Sequence, residues 1–456
     1  MKIEISDELK HSLSLLGYEK WSEVQEKVIP AFLRGENLIV KSKTGSGKTC
    51  AFALPIVENI IWEKKYPQAL ILSCTRELAM QIKEECDLLG KYKKIKVQCV
   101  VGKENIENQK ALLKQQCHIL VGSVGRVLDL IEQGCIHLEE IKTIVIDEAD
   151  YMMDLGFLED IEKIMALLDK DVQKSFFSAT YPEKIMDLIN MQVENPIYIN
   201  IEEKDKISHY YTYCEDEKER LYQLLTTLDI ESALVFCERR EEVKEVYKYL
   251  INHKIPSTCL HGELLQKTRF EHLRRFRCGE VRVLVASDVA ARGIDIDKVS
   301  HVFHLGNINN RNTYVHRSGR SGRVEESGIS ILLIKEKNEI LSSLVETFSM
   351  KDISLYENKG ENHIFESVEK KQKGDLFEKE IERIYINAGS EKKIRAGDII
   401  GVLCSLEGIE REDIGVIEVL RRMSYVEIYH DKADRIIELM KDKTIKKKKV
   451  KVEKAK

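Results

Sequence analysis

Short apolar runs alternate with longer, helix-like segments, and this alternation occurs in two successive sets along the chain. Apolar strands that alternate with helices are typical of parallel sheets covered by helices on both faces. The pattern therefore predicts two α/β domains, joined near residues 203–208. The predicted strands of the first set are Leu38–Val40, Ala69–Cys74, Cys117–Val121, Thr143–Ile146 and Ser175–Ser178, and those of the second set are Ala233–Cys237, Ser257–Leu260, Val283–Ala286, His301–Leu305 and Ile329–Ile334.

A glycine-rich loop follows the first predicted strand. Residues 42–49 read Ser-Lys-Thr-Gly-Ser-Gly-Lys-Thr and match the phosphate-loop pattern, except that Ser42 replaces its first glycine. Backbone N–H groups of such a loop cradle a triphosphate, and the glycines let the chain approach it closely. Lys48 is predicted to reach the outer phosphates and Thr49 to bind Mg²⁺. The residues predicted to hold the nucleotide here are Thr44, Gly45, Ser46, Gly47, Lys48 and Thr49.

An acidic motif, Asp-Glu-Ala-Asp at positions 147–150, directly follows the strand predicted at Thr143–Ile146. Functional residues of parallel α/β sheets lie at the carboxyl ends of strands. We therefore expect Asp147 to be a second Mg²⁺ ligand and Glu148 to orient or deprotonate a water molecule. Together with the phosphate loop, these carboxylates predict hydrolysis of a nucleoside triphosphate.

A smaller unit is predicted after a polar linker. Strands at 384–386, 415–420 and 424–429, helices at 397–407 and 433–441, and a final strand through 449–452 give the order βαββαβ. This order is that of ferredoxin-like RNA-recognition domains. The predicted organisation is therefore residues 1–205 and 206–352 for the α/β domains, 353–380 for the linker and 381–456 for the α+β domain.

The distribution of charge along the chain changes what the net charge implies about nucleic-acid binding. The net charge of −5 argues by itself against a nucleic-acid-binding protein. Residues 381–456, however, carry 18 lysines and arginines against 14 aspartates and glutamates, and Lys446–Lys449 are consecutive. A lysine-rich end is equally consistent with a solvated tail. Without an apolar run of about 18 residues, a secretory signal or a C-x-x-C pair, we expect a cytoplasmic protein with neither disulfides nor zinc.

The first two predicted domains resemble the DEAD-box RNA helicases over nearly all of residues 5–335. The resemblance implies two tandem RecA-like parallel-sheet domains that use ATP and Mg²⁺ and act on RNA. Besides the two motifs above, it rests on Gly17-Tyr18 through Gln25, Thr75-Arg76-Glu77-Leu78-Ala79, Gly102, Ser123-Val124-Gly125-Arg126, Ser178-Ala179-Thr180, Gln266-x-x-Arg269, Ser287-Asp288, Ala291-Arg292-Gly293-Ile294-Asp295 and His316 through Arg323.

This resemblance also implies roles for individual residues. Gln25 would read the adenine edge, with Tyr18 as a stacking face, and Asp295 would lie on the nucleotide side. Arg320 and Arg323 would act as arginine fingers that neutralise transition-state charge. The implied RNA contacts are Arg76, Gly102, Arg126, Gln266, Arg269 and Ser287.

Some positions depart from the family pattern. Ile3 stands near the place of the usual aromatic residue upstream of the glutamine motif, and Cys74 replaces a proline. Trp21-Ser22 replaces the usual Pro-Thr, and Lys103 replaces a second glycine after Gly102. These changes keep the main hydrogen-bonding groups, so the expected activity is unchanged.

Residues 381–456 resemble the RNA-binding domain of the DbpA-type helicases, through segments 384–389, 392–399, 413–415 and 424–428. The resemblance implies a hairpin of 23S ribosomal RNA and pre-50S particles as partners. Lys392, Lys393 and Arg395 are the predicted RNA contacts. Only Tyr385 and Tyr425 remain of the expected aromatic residues, which favours folded RNA over a single strand. Both tyrosines are equally consistent with plain sheet packing.

These features together predict a monomeric ATP-dependent RNA helicase that unwinds short duplexes during large ribosomal subunit assembly. The alternative is an ATP-gated RNA clamp or chaperone with little unwinding. A DNA helicase is disfavoured, because the motifs resemble those of the RNA group.

Overall fold

A computed structural model describes residues 3–43, 45–201, 207–288, 299–306, 308, 311–322, 328–336, 339–356, 362–367, 377–441 and 443–455. The chain divides into two compact units. One comprises Met1–Lys41, Gly47–Ile199 and Lys373–Lys456, and the other comprises Ser42–Ser46 and Asn200–Gln372. Across the described ranges, no helix is both long and apolar enough to cross a bilayer.

The first α/β domain is built on a seven-stranded sheet in the order β3-β4-β2-β5-β6-β1-β7. Its central strands pair in parallel and are apolar on both faces, as expected for a sheet covered by helices on both sides. The strands are β1 Leu38–Lys41, β2 Ala69–Ser73, β3 Val97–Val100, β4 Ile119–Ser123, β5 Thr143–Asp147, β6 Gln173–Ser178 and β7 Ile197–Asn200. The helices are α1 Asp7–Leu15, α2 Glu23–Leu33, α3 Lys48–Asn59, α4 Arg76–Leu89, α5 Ile106–Leu113, α6 Val124–Glu132, α7 Ala149–Asp154, α8 Leu158–Ala166 and α9 Glu183–Gln192.

The second α/β domain repeats this plan, with strand order β10-β11-β9-β12-β13-β8-β14. Its strands also pair in parallel. The strands are β8 Ile207–Tyr213, β9 Ala233–Cys237, β10 Ser257–Leu260, β11 Val283–Ser287, β12 His301–His304, β13 Gly328–Ile334 and β14 Lys351–Asp352. The helices are α10 Glu217–Thr227, α11 Arg240–Asn252, α12 Gln266–Arg277, α13 Arg311–Ser318 and α14 Glu339–Thr347, followed by a 3₁₀ turn at Ile353–Leu355.

The C-terminal domain is a small α+β structure with an antiparallel sheet in the order β16-β17-β15-β20. Its two longer helices pack on one face of this sheet. Its elements are α15 Phe377–Glu380, β15 Ile381–Ile386, a 3₁₀ turn at Ser390–Lys392, α16 Ala396–Leu403, β16 Ile414–Val419, β17 Ser424–Tyr429, α17 Ala433–Leu439, a hairpin of β18 Thr444–Ile445 and β19 Lys448–Lys449, and β20 Val452–Lys454.

The structure confirms the predicted fold class of two tandem parallel-sheet domains followed by a ferredoxin-like domain. The sequence did not reveal β3, β7, β8, β14 or the hairpin of β18 and β19, and the last strand is Val452–Lys454 rather than 449–452. The missed strands are only partly buried or exposed, so they lack a continuous apolar run.

The predicted domain boundaries stay predictions. Within the predicted linker 353–380, Ile364 is fully buried in the apolar core of the second α/β domain. Asn362 there donates its side-chain amide to the Leu225 carbonyl at 2.8 Å. Part of this segment therefore packs against the second α/β domain.

Candidate functional site

The glycine-rich loop lies between the end of β1 and the start of α3. Gly47 has φ +93°, a left-handed conformation that L-residues rarely adopt. It immediately precedes Lys48, the first residue of α3, and has no side chain that could cap the helix. Helix N-termini of this kind bind anions through their backbone N–H groups. Within the loop, the buried Ser42 hydroxyl donates to the Ser46 hydroxyl at 2.6 Å, whereas Thr44 lies outside the described residues.

Gln25 contacts the end of this loop. Its Oε1 accepts the Ser22 backbone N–H at 2.9 Å, and its Nε2 donates to the Gly47 carbonyl at 3.3 Å. The side chain is buried at the start of α2. Tyr18, the predicted stacking face, donates its hydroxyl to Glu85 Oε1 at 2.7 Å. Gln25 is thus held against the loop, while the Tyr18 hydroxyl is directed towards α4.

Gly47→Ala should weaken ATP binding. A Cβ atom there would lie 2.7 Å from Gln25 Nε2, in addition to the cost of about 1–2 kcal/mol for a left-handed alanine. Gly35→Ala is a matched control, because Gly35 has φ +78° and nothing within 4 Å of an added Cβ. Equilibrium ATP binding by both variants separates the clash from the backbone cost. Equal affinities in the two variants would contradict this prediction.

Asp147 and Glu148 lie at the carboxyl end of β5, as predicted. Glu148 Oε1 is 3.5 Å from Lys48 Nζ, and both side chains are about nine-tenths buried. Burial raises the pKa of Asp147 to about 7; the Lys48 ammonium opposes this rise and the Glu148 carboxylate adds to it. Glu148 has φ 58° and ψ 49°, a left-handed conformation of the kind that is costly and concentrated at functional sites.

Asp150 was not assigned a role from the sequence, yet it links two motifs. Its Oδ2 accepts both the backbone N–H and the hydroxyl of Thr180, at 2.9 and 2.7 Å. Its own N–H donates to the Ser178 hydroxyl at 3.1 Å. The acidic motif is thereby tied to the Ser178–Thr180 segment that follows β6. The sequence showed both the last aspartate of the acidic motif and the Ser178–Thr180 motif 30 residues later, but not that the two are in contact.

In the second α/β domain, both Arg317 and Arg320 are buried. Arg317 is fully buried and makes two hydrogen bonds of 2.6 Å to the Asp288 carboxylate. Arg320 follows the end of α13, and its carbonyl accepts the Val299 N–H at 2.9 Å. Arg317 is therefore a structural residue that the sequence did not single out. The predicted Arg323 and Asp295, and the rest of the 291–295 motif, lie outside the described residues.

The predicted RNA contacts of the first α/β domain lie in the segments that follow β2, β3 and β4. Arg76 begins α4 directly after β2, and the Gly102 N–H faces the Ser123 hydroxyl at 3.4 Å. Arg126 donates to Gln109 Oε1 at 2.7 Å, which fixes its guanidinium. In the second α/β domain, Gln266 begins α12, Arg269 lies one turn later and Ser287 ends β11.

The C-terminal domain brings together basic segments that are distant in sequence. Lys446 donates to the Lys393 carbonyl at 3.0 Å, and Lys448 donates to the Lys392 carbonyl at 2.6 Å. The lysine-rich end is therefore a folded hairpin packed on the loop that carries Lys392, Lys393 and Arg395. We call the exposed side chains of these two segments the basic cluster, which comprises Lys392, Lys393, Arg395, Lys446, Lys447, Lys448 and Lys449.

Tyr385 and Tyr425 are cross-strand partners on the sheet face opposite the helices, with ring centroids 5.8 Å apart. The Arg383 guanidinium lies 4.4 Å from the centroid of the Tyr425 ring. These aromatic rings already have partners within the domain.

Three family models match the chain along its length. They are a DEAD/DEAH box helicase domain at residues 22–188, a helicase conserved C-terminal domain at 216–325 and a DbpA RNA binding domain at 383–454. The ATP-dependent RNA helicase DbpA of Bacillus subtilis is 37% identical over 99% of this chain and 98% of its own length. The chain belongs to the DbpA-type DEAD-box RNA helicases.

Other relatives match about three quarters of this DEAD-box helicase. The DEAD-box ATP-dependent RNA helicase RhpA of Helicobacter pylori is 39% identical over 75% of this chain and 70% of its own. The structure of Saccharomyces cerevisiae Dbp5 bound to RNA and ADP BeF3 superposes with a TM-score of 0.68 at 31% identity, covering 76% of this chain and 93% of Dbp5. The DEAD-box helicase described here is accordingly an ATP-hydrolysing RNA helicase that carries a C-terminal RNA-binding domain.

Proposed function

We propose that Lys48 and the first turn of α3 bind the outer phosphates of ATP, while Glu148 orients the attacking water. The observation that carries this proposal is the close approach of Lys48 and Glu148, 3.5 Å apart at a strand end where both are buried. Buried opposite charges act strongly on a substrate, because little water screens them. Gln25 would read the adenine from its position beside Gly47.

The acidic pair fits a divalent cation. Asp147 and Glu148 are adjacent and almost fully buried, and burial keeps the pKa of Asp147 high even though Lys48 is nearby. A bound cation would favour the ionised carboxylates. We propose that Asp147 and the Thr49 hydroxyl hold Mg²⁺, which when bound neutralises charge on the phosphate oxygens.

We propose that Arg320, with Arg323, stabilises the transition state of hydrolysis from the second α/β domain. Phosphoryl transfer is catalysed mainly by positioning and by neutralisation of spread charge. Arg317 is not a candidate for this role, because its buried guanidinium donates from Nε and Nη2 to the Asp288 carboxylate. RNA that contacts both α/β domains would favour the state in which Arg320 and Lys48 act on one ATP, which makes hydrolysis RNA-dependent.

We propose that the C-terminal domain targets the helicase to a hairpin of 23S ribosomal RNA, in particles that become the large subunit. What supports this is the similarity to DbpA over the whole chain, together with the basic cluster. Arg421 and Arg422 are each 75% exposed and extend the positive surface. Both lie beside Glu391, the residue that precedes Lys392. Loops of this kind suit recognition of folded RNA through phosphates and shape.

The proposed function is tested by measuring ATPase activity with ribosomal RNA, with unrelated RNA and with no RNA. We expect the strongest stimulation with ribosomal RNA. Unwinding of a short RNA duplex beside the hairpin, measured at limiting ATP turnover, distinguishes a helicase from an ATP-gated clamp. Stimulation that is equal for both RNAs would contradict the targeting proposal.

Charge reversal of the basic cluster should weaken hairpin binding and reduce its salt dependence. Each phosphate contact contributes about 0.7–0.9 to the slope of log affinity against log salt. Lys392→Glu, Lys393→Glu and Arg395→Glu together should therefore flatten the slope by roughly 2 to 3. Filter binding of the full chain to a 23S hairpin and to a scrambled hairpin, across a salt series, provides the measurement.

A matched control for this variant reverses Lys10, Lys27 and Lys163. These lysines are 57%, 49% and 59% exposed, and each is paired with a neighbouring carboxylate of its own helix. The control should retain the slope of the unmodified chain. If the slope of the Lys392, Lys393 and Arg395 variant were also unchanged, these residues would have no phosphate role.

A further inference from the structure

The outer face of the C-terminal sheet, opposite its helices, is partly covered by the first helicase domain. Ile381 and Tyr429 are cross-strand partners at one end of this face, and both are buried. Together with Phe377 they form an apolar cluster with residues of α1, α4 and the turn that follows α4. The residues contributed by the first helicase domain are Leu15, Leu16, Leu88 and Tyr92.

Aromatic contacts fix the geometry of this cluster. The Tyr92 ring stacks on Tyr429 with centroids 5.9 Å apart and lies 6.1 Å from the Phe377 ring. The Tyr429 hydroxyl donates to the Lys91 carbonyl at 3.1 Å. The Tyr92 hydroxyl donates to Glu380, which also accepts a hydrogen bond from His11 at 3.0 Å. The buried hydroxyl of Tyr429 therefore has a partner on the first helicase domain rather than in its own domain.

Polar contacts surround the aromatic cluster. Lys91 forms an ion pair with Glu427, which is the neighbour of Tyr429 two residues earlier on the same sheet face. Lys94, held in a left-handed conformation at φ 55°, donates to the carbonyls of Ile414 and Arg411 at 2.7 and 3.2 Å. Gln115 donates to the Val419 carbonyl at 2.8 Å. In these contacts, side chains of the first helicase domain bind both side chains and backbone carbonyls of the C-terminal domain. They therefore fix the orientation of the C-terminal domain on the first helicase domain.

The contact also contains a cavity with charged walls. A cavity of about 270 Å³ lies between Lys83, Asp87 and Lys91 on the first helicase domain and Arg383, Glu418 and Glu427 on the sheet. Contacts that combine a small apolar centre with charged surroundings resemble transient interfaces more than obligate ones. Docking of this kind is expected to be reversible.

We infer that the outer sheet face of the C-terminal domain is a docking surface for the first helicase domain of the same chain, and is not its RNA-binding surface. Single-stranded RNA on a sheet of this type needs an open row of aromatic residues. Here Tyr429 is buried against Tyr92, and Arg383 lies over Tyr425. The basic cluster lies outside the docking contacts and stays exposed for RNA. Docking thus holds the RNA-binding domain against the ATP-binding domain while its RNA-binding loops remain available.

A charge swap tests the docking surface in the full chain. Lys91→Glu and Glu427→Lys should each place like charges in contact and release the domain, whereas the double variant should restore the pair. Hydrogen exchange in segments 88–96 and 377–381 should accelerate roughly tenfold or more in each single variant and return towards the original rate in the swap. Unchanged exchange in both single variants, or a swap no slower than the single variants, would overturn the inference.

Lys110→Glu and Asp434→Lys are matched controls. Lys110 is paired with the exposed Glu107 on its own helix, and Asp434 is 78% exposed beside Lys454. Neither should change exchange in the two segments.

A neutral variant separates docking from RNA binding on the sheet. Tyr429→Ala should accelerate exchange in segment 88–96 and leave affinity for a 23S hairpin within about twofold, because the basic cluster is intact. A loss of hairpin affinity without faster exchange would make the sheet face an RNA site and overturn the inference. The exchange measurements need neither ATP nor RNA, so they stand apart from the test of the proposed function.

Discussion

Glu148→Gln should still bind ATP and should turn it over roughly 10²–10⁴ times more slowly with RNA present. Glutamine keeps the size of the side chain but cannot accept a proton from water. It also loses the charge that faces Lys48, 3.5 Å away in the buried strand-end site. Binding of a fluorescent ATP analogue and single-turnover hydrolysis, measured on the same preparation, separate the two effects.

Glu242→Gln is the matched control for this substitution. Glu242 accepts backbone N–H groups of Glu238 and Arg239 at the start of α11, a role that glutamine also fills. Its turnover should equal that of the unmodified chain. Hydrolysis at the original rate by Glu148→Gln would remove Glu148 from the proposed mechanism, whereas loss of ATP binding would assign it a binding role.

Most of the fold could be predicted from the sequence, because buried parallel strands appear in it as continuous apolar runs. β2 and β9 are buried at every position and were predicted within one residue. β8, in contrast, mixes polar and aromatic residues and begins at the predicted junction between domains. Its pairing with β13 depends on a strand more than 100 residues away, which no local pattern indicates.

The proposed ATP site was likewise predicted from short motifs. Phosphate binding requires the glycines of the loop, and hydrolysis requires the Asp-Glu pair. Each requirement is met within a short segment of the sequence. Asp150, however, acts through Thr180, and Arg317 through Asp288, 30 and 29 residues away. These partners are set by which strands lie side by side. The same is true of the basic cluster, since the predicted loop and the lysine-rich end meet only once the sheet has formed.

The docking surface could not be predicted from the sequence, for a further reason. Tyr92, Lys94 and Tyr429 resemble ordinary surface or strand residues, and none belongs to a motif. Their significance depends on how two domains of one chain meet. The sparse aromatic residues of the C-terminal sheet were the available signal, and they predicted RNA binding outside the sheet without indicating what covers it.

Arg320→Ala should bind ATP with nearly unchanged affinity and should lose roughly 10³–10⁵ in the rate of RNA-stimulated hydrolysis, the range for arginine fingers. At 1.36 kcal/mol per factor of ten, this loss is about 4–7 kcal/mol of transition-state stabilisation. The physical reason is that Arg320 belongs to the second α/β domain, whereas Lys48 in the first is expected to provide the ground-state phosphate contact.

Two further arginines separate this catalytic effect from a structural one. Arg240→Ala removes a side chain that is 55% exposed and paired with Glu241 and Glu263, and it should leave hydrolysis unchanged. Arg317→Ala leaves the Asp288 carboxylate without its bidentate partner, so it should destabilise the second α/β domain by about 3–5 kcal/mol. Single-turnover hydrolysis at saturating ATP and RNA, ATP affinity and thermal unfolding distinguish the three variants. An Arg320→Ala variant that lost ATP binding yet hydrolysed normally at saturation would show that the arginine acts on the ground state instead.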